Sequence, residues 1–380
     1  MLAIVQKIRL NMIVRDESPV IERCLASVKP LIDDWVIVDT GSEDDTKEKV
    51  AAALDGIPGT LLERPWRDFG HNRTEAFALA REGADYLLFV DADDVWETDD
   101  GFSMPRLTED GYYVRMSAGG ESWRLLMLVN ASKPWYWKTK RHASLVCRGS
   151  FSSDILDGAR ILCGNDGHRR STQSSTEKYG KDADVFEAAL VENPGDTRAM
   201  FYCAQSHKDA GNTGRAIFWY ERRAAAGGWW EEVYVSHMRL GRLYARIGAP
   251  PSVSADHYLA AYELAPRRAE PLVQLSAYYR SKKEYAKAHL YACAAKELPY
   301  PRDLLFIEDA VYQWRALDEY AITAQRIGKL EEARRANEKL LEIVPERERE
   351  HIEANMRWCR PSGPVTLGGV RLGPGRKSAP

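Results

Sequence analysis

The densest chemistry in the chain is the acidic run Asp91-Ala92-Asp93-Asp94, which follows the apolar stretch LLFV at 87–90. Three carboxylates within four residues at the end of a buried strand are costly to keep ionised unless something cationic neutralises them. Asp91 and Asp93, two apart on an extended chain end, would face the same way and could share a divalent ion that bridges a diphosphate. A solvated acidic turn is the plain alternative, and a lone Asp-x-Asp triplet does not exclude it. The context does more. A second acidic turn follows an earlier apolar run, at Asp39 in VIVDTGSEDDT (36–46), and Arg15-Asp16-Glu17 follows NMIV. Neither GxGxxG nor GxxxxGK[ST] occurs, which argues against a kinase or a dinucleotide oxidoreductase.

These clusters need elements to hold them. IRLNMIV (8–14), WVIVD (35–39), TLLE (60–63) and DYLLFVDADD (85–94) alternate with helical stretches at 18–28, 47–54 and 72–81. Short continuous apolar runs alternating with helices predict a mostly parallel sheet covered on both faces. Such sheets bind ligands outside the carboxyl ends of their strands, where the polar clusters fall. Pro19 suits a first helical turn.

Composition shifts near residue 180. From about 183 to 345 helical segments repeat a layout of two helices around a short polar break, with Ala216, Ala288 and Ala333 at equivalent places and Pro266, Pro299 and Pro345 closing repeats. The spacing is irregular, and about four helix pairs are expected. The layout resembles tetratricopeptide (TPR) helix pairs, whose period is about 34 residues. An ordinary helical domain without true repeats is the alternative. The expected organisation is therefore α/β followed by all-α: residues 1–180, 181–350, and a Pro/Gly-rich tail at 361–380 expected to be disordered.

NMIVRDE, VIVDTGSEDDT, DFGHNRTEAFALA and DYLLFVDADD resemble, in order and spacing, the motifs of family 2 glycosyltransferases of GT-A fold, over roughly residues 8 to 100. The resemblance implies that Glu17 (or Asp16) and Asp39 contact the nucleotide base and ribose. Asp91 and Asp93 are implied at the ribose and at the metal on the diphosphate, Mn2+ or Mg2+. Arg73, early in its helix, could pair with Asp91 or with phosphate; a plain surface arginine is the alternative. The donor implied is a nucleotide-diphosphate sugar, with a UDP-sugar as the leading expectation, and the mechanism implied is inverting.

Further along, RLLMLVNASKPWYWKTKRHASLV (124–146) resembles the family's strand and loop ending in a His-Glu pair, here His142 with Ala143 in place of the glutamate. The general base is thus open among Glu121, Asp154, Asp157 and His142. His142 could instead join the aspartates as a metal ligand. His168 is a second metal candidate, and Arg169 beside it could stabilise a departing diphosphate. Residues 133–148 hold five basic residues and Trp135, Tyr136 and Trp137, either a platform for a sugar or base or an edge strand with buried tryptophans. Most aromatics of the helical half should be core, with Trp229-Trp230 as candidates for an acceptor groove.

The 380 residues are 44% hydrophobic and 29% charged, with a net charge of −3, an ordinary globular balance with no overall nucleic-acid signature. No run of 18 apolar residues occurs, the six cysteines form no CxxC pair, and Lys7 and Arg9 interrupt the first apolar stretch. A cytoplasmic chain without a membrane span is expected. The leading expectation is a metal-dependent glycosyltransferase whose acceptor (protein, polysaccharide or modified DNA base) binds near the repeats. Self-association through the repeats is equally compatible. A non-catalytic TPR scaffold with a degenerate transferase domain is the alternative, and a nucleotidyltransferase would want a glycine-rich basic loop after its first strand.

Overall fold

The computed structural model describes residues 6–138, 144–164, 166–167 and 174–359. The chain divides into two compact units, Met1–Leu264 with Pro301–Asp309, and Ala265–Tyr300 with Ala310–Pro380.

In the first unit β1 (Ile8–Val14), β2 (Asp34–Asp39), β3 (Gly59–Glu63) and β4 (Tyr86–Phe89) run parallel in the order β3-β2-β1-β4. Leu10, Ile37, Leu87 and Leu88 are fully buried, which is why these strands read as unbroken apolar runs. The crossovers are α1 (Ile21–Val28), α2 (Thr46–Ala53) and α3 (Phe69–Ala80). α1 buries Ile21, Cys24, Leu25 and Val28, an i, i+3, i+4, i+7 stripe. α3 begins three residues before the stretch read from sequence because Asp68 caps it, accepting from the His71 N–H at 2.8 Å.

β1 pairs with β2 on one side and β4 on the other, so the chain order reverses there. The crevice at the carboxyl ends of β1 and β4 is the switch point where open α/β sheets bind ligands.

Beyond β4 come β5 (Val95–Thr98), β6 (Gly111–Ala118) and β7 (Glu121–Asn130). β8 (Trp135–Lys138) and β9 (Ser144–Cys147) form a separate hairpin, and β10 (Ser153–Leu162) follows. The sheet continues β4-β7-β6-β10-β5, antiparallel except for β6 with β10. Much later β11 (Ile307–Glu308) returns to pair antiparallel with β7. The Arg124 guanidinium, almost fully buried on β7, donates to the carbonyls of Asp303 (2.5 Å) and Pro301 (3.2 Å) in that returning segment.

The first unit also holds α4 (Ser175–Glu192), α5 (Thr197–Asp209), α6 (Thr213–Ala225), α7 (Trp230–Arg246) and α8 (Pro251–Leu264), each packed on the next. The second holds α9 (Glu270–Ser281), α10 (Tyr285–Lys296), α11 (Ala316–Arg326), α12 (Leu330–Ile343) and α13 (Glu346–Trp358), again packed in succession. The repeat is visible in detail. Ala216, Ala288 and Ala333 are fully buried, each in the first turn of the second helix of a pair, where only a small side chain lets the helices approach. Five residues earlier the chain turns through left-handed conformations at Gly211 (φ 81), Lys283 (φ 62) and Gly328 (φ 85), which end the preceding helix. TPR-like helical repeats thus follow the sheet. Among the described residues no helix is long and apolar enough to cross a membrane.

Candidate functional site

Two loops meet at the carboxyl ends of β1 and β2. Asp16 N–H donates to Ser42 Oγ (3.0 Å), Glu43 N–H to Asp16 Oδ1 (2.7 Å), Glu17 N–H to Thr46 Oγ1 (2.8 Å) and Ser18 N–H to Asp44 Oδ2 (3.0 Å). Asp39 at the end of β2 is fully buried. Its Oδ1 accepts from the N–H groups of Gly41 (2.9 Å) and Ser42 (2.8 Å), and its Oδ2 from Ser42 Oγ. Its carboxylate organises the turn that bonds the 15–18 loop, while Asp16 and Glu17 stay partly exposed beside it.

At the end of β4 the sequence suggested an extended acidic segment, with an acidic turn as the alternative. Residues 91–94 close a turn, with Asp94 N–H donating to the Asp91 carbonyl at 3.0 Å. The turn leaves Asp91 exposed, Asp93 half-buried and Asp94 buried. Asp94 is buried and its Oδ1 accepts from Gly164 N–H at 3.0 Å. Asp91 is exposed and pairs with the Arg73 guanidinium. Cys24 Sγ, on α1, donates to the Asp91 carbonyl at 3.3 Å, and burial beside the three aspartates pushes its thiol well above the usual range. Arg73 lies over the Trp137 ring, 4.8 Å from its centroid, and Trp137 meets Phe89 edge-on at 5.6 Å. Asn11 and Asn72, both buried, anchor α3: Asn11 Nδ2 donates to the carbonyls of Val36 and Ala76, Asn72 Nδ2 to that of Pro65, and Asn72 Oδ1 accepts from Arg67 N–H.

A cavity of about 460 Å³ opens beside Asp91, within the range of small-molecule sites. Its walls come from the ends of β1 and β4, from β6 and β7, from the β8–β9 hairpin, and from Arg198, Tyr202 and Trp229 of the helices in the same unit. Asp91 is the one carboxylate among its described lining residues. The other carboxylates weighed as a base lie elsewhere. Glu121 takes a 2.6 Å bond from Arg239; burial pushes its carboxyl up, but Arg239 and Arg242 outweigh that and lower it. Asp154 and Asp157 pair with Arg302 on the surface. His142, His168 and Arg169 lie outside the described residues. In the basic-aromatic segment Trp135 is core, edge-on to Phe151 at 4.9 Å, so it offers no stacking face for a nucleic acid.

The oxygen donors of Asp91 and Asp93 suit a hard divalent cation. A second acidic grouping, Glu187 with Cys203 and His207, does not. Glu187 Oε1 already accepts from three donors, His207 Nε2 (2.8 Å), Trp219 Nε1 (3.1 Å) and Arg215, and the softer Cys203 and His207 complete the group. Sequence reading missed Arg23, Gly164, Asp166 and Gly167, which pack around Asp93. The signal available was two glycines three apart flanking an aspartate in GNDG.

Residues 11–112 match the family model of glycosyl transferase family 2. A TPR repeat-containing protein of Synechococcus elongatus is 40% identical over 93 residues, 24% of this chain and 22% of that protein. An uncharacterized glycosyltransferase of Rickettsia felis is 30% identical over 89 residues, 23% of this chain and 29% of that protein. The chain therefore spans less than a third of either relative. Among solved structures, MamA covers 47% of this chain and 86% of its own at 17% identity and a TM-score of 0.35. A TPR protein of Thermus thermophilus covers 48% and 92% at 21% identity and a TM-score of 0.34. The chain carries a family 2 glycosyltransferase domain with TPR-like helical repeats after it.

Proposed function

We propose that the protein is a metal-dependent glycosyltransferase that moves a sugar from a nucleotide-diphosphate sugar, a UDP-sugar in the first instance, to an acceptor entering the cavity beside Asp91. The observation that carries this reading is the position of Asp91, at the switch-point end of β4 and on the wall of the cavity at once. The interlocked 15–18 and 40–46 loops form the nucleotide side, with Asp16 and Glu17 facing it and Asp39 fixing the turn beneath. Asp91 and Asp93 would hold a divalent ion, which when bound supplies charge for a departing diphosphate. Arg73 holds Asp91 from the cavity side and is itself held flat by Trp137. Direct displacement joins the acceptor nucleophile to the anomeric carbon as the bond to the diphosphate breaks, and the acceptor proton passes to a base not yet assigned.

Calorimetric titration with UDP, GDP and UDP-sugars, with and without Mn2+, tests the reading. Metal-dependent nucleotide binding that disappears in Asp93→Ala is the expected result. A chain that binds no nucleotide under either condition refutes it and leaves the helical repeats as a scaffold.

A further inference from the structure

The backbone at Asp93 is held from two directions by groups with no place in the chemistry above. Arg23 projects from the exposed side of α1. Its NH1 donates to Asp166 Oδ2 and its NH2 to Asp166 Oδ1, both at 2.9 Å, and NH2 also donates to the Asp93 carbonyl at 3.0 Å. One guanidinium therefore ties α1, the acidic turn and Asp166 together in the planar two-bond geometry that arginine offers and lysine does not.

Gly164 and Gly167, on either side of Asp166 in sequence, fit against Asp93 with no room for a side chain. A Cβ at Gly164 would fall 1.9 Å from the Asp93 carbonyl oxygen, and one at Gly167 would fall 3.1 Å from both the Cβ and Oδ2 of Asp93. Gly164 N–H also holds the neighbouring Asp94. Both partners of the ion pair are nearly half exposed, at 45% and 49%, and such a pair contributes little to folding. Its effect is local: it fixes the Asp93 carbonyl and, through Asp166, the residue next to Gly167.

We infer that Arg23 is a positioning residue for the donor site, which through Asp166 and the Asp93 carbonyl sets the Asp93 carboxylate for the divalent ion. This rests on the donor-site reading above. Groups that orient a metal ligand change metal affinity by about 10–100-fold when removed.

The test uses the full chain, with Mn2+ binding followed by loss of the free-ion EPR signal and Mn2+-dependent UDP binding followed by calorimetry. Arg23→Ala is expected to weaken both by about 10–100-fold while the melting temperature stays near that of the wild type. Arg23→Lys should recover part of the loss. Arg23→Ala with Asp166→Ala should be no worse than Arg23→Ala alone, as expected of two residues acting as one device. Unchanged Mn2+ and UDP affinity in Arg23→Ala overturns the inference and leaves the donor site standing. So do additive losses in the double variant, which would mean a diffuse charge effect, and so does a large fall in melting temperature, which would make the pair structural. A wild-type chain that binds neither Mn2+ nor UDP removes the donor-site reading and the role of Arg23 with it.

Discussion

Gly164→Ala is the sharpest perturbation the structure offers. The added carbon would lie 1.9 Å from the Asp93 carbonyl oxygen and 2.7 Å from its carbon. Atoms in ordinary contact sit about 3.5 Å apart, so residue 164 has to retreat by more than about 1 Å. The obstacle is backbone and cannot swing aside as the end of a side chain would. Retreat breaks the 3.0 Å bond from Gly164 N–H to the buried Asp94 carboxylate. Overpacking costs about 1–3 kcal/mol and a lost bond to a charged group about 1.5–3 kcal/mol. Because relieving one incurs the other, a net loss of about 2–4 kcal/mol follows. At about 2–4 °C per kcal/mol for a unit of this size, melting should fall by roughly 4–16 °C. Gly180→Ala is the control: it lies inside α4, nothing stands within 4 Å of the new carbon, and melting should rise slightly. Differential scanning calorimetry of both variants, with Mn2+-dependent UDP titration of Gly164→Ala, reads the effect. A Gly164→Ala protein that melts and binds like the wild type would show that Gly164 does not pack on Asp93, and the packing argument would fail.

Two further outcomes are expected. Burial raises the Glu187 carboxyl, but Arg215, Trp219 and His207 outweigh that and bring it from an ordinary 4.5 down to about 2. A depressed carboxyl stabilises above its unfolded pKa and loses that contribution as pH falls toward 2, so Glu187→Gln should cost about 2–3 kcal/mol at pH 7 and progressively less below pH 4. Urea unfolding of both proteins from pH 7 to 3 checks this, and a pH-independent difference would contradict it. Trp137→Ala removes the ring under Arg73, a contact worth about 0.5–2 kcal/mol, whereas Trp137→Phe keeps a ring there. On the proposed reading, turnover of a UDP-sugar should fall in Trp137→Ala and largely recover in Trp137→Phe, with UDP affinity little changed in either; equal losses of turnover and UDP affinity would place Trp137 on the nucleotide side.

How much was legible followed the range of the interactions. β1, β2 and β4 were readable because burial on both faces leaves continuous apolar runs, and Ala216, Ala288 and Ala333 because each sits in a turn whose neighbours recur. The turn at 91–94 stood only as the alternative to an extended acidic end, since a hydrogen bond from Asp94 to Asp91 leaves no trace in residue type that would decide between them. Arg23 reads as any solvent-facing arginine of an amphipathic helix, because its partner Asp166 stands 143 residues away. Trp135 could be placed on a platform or in the core by its type alone, and only its contact with Phe151 decided.

The return of residues 301–309 to the sheet has a consequence in time. Arg124 is translated 179 residues before Asp303, whose carbonyl receives its guanidinium, and Ser122 precedes its partner Asp309 by 187. At about 5–20 residues per second the ribosome needs on the order of 10–40 s to cover that interval. Throughout it the first residues of β7, Glu121 and Ser122, lack the pairing that β11 supplies beside them, and Arg124 lacks its two carbonyl partners. The sheet is finished only after α9 and α10 of the other unit have been made. A gene fragment ending before codon 301 would therefore lack the last segment of the first unit, and a single recombination joint cannot exchange one unit for another.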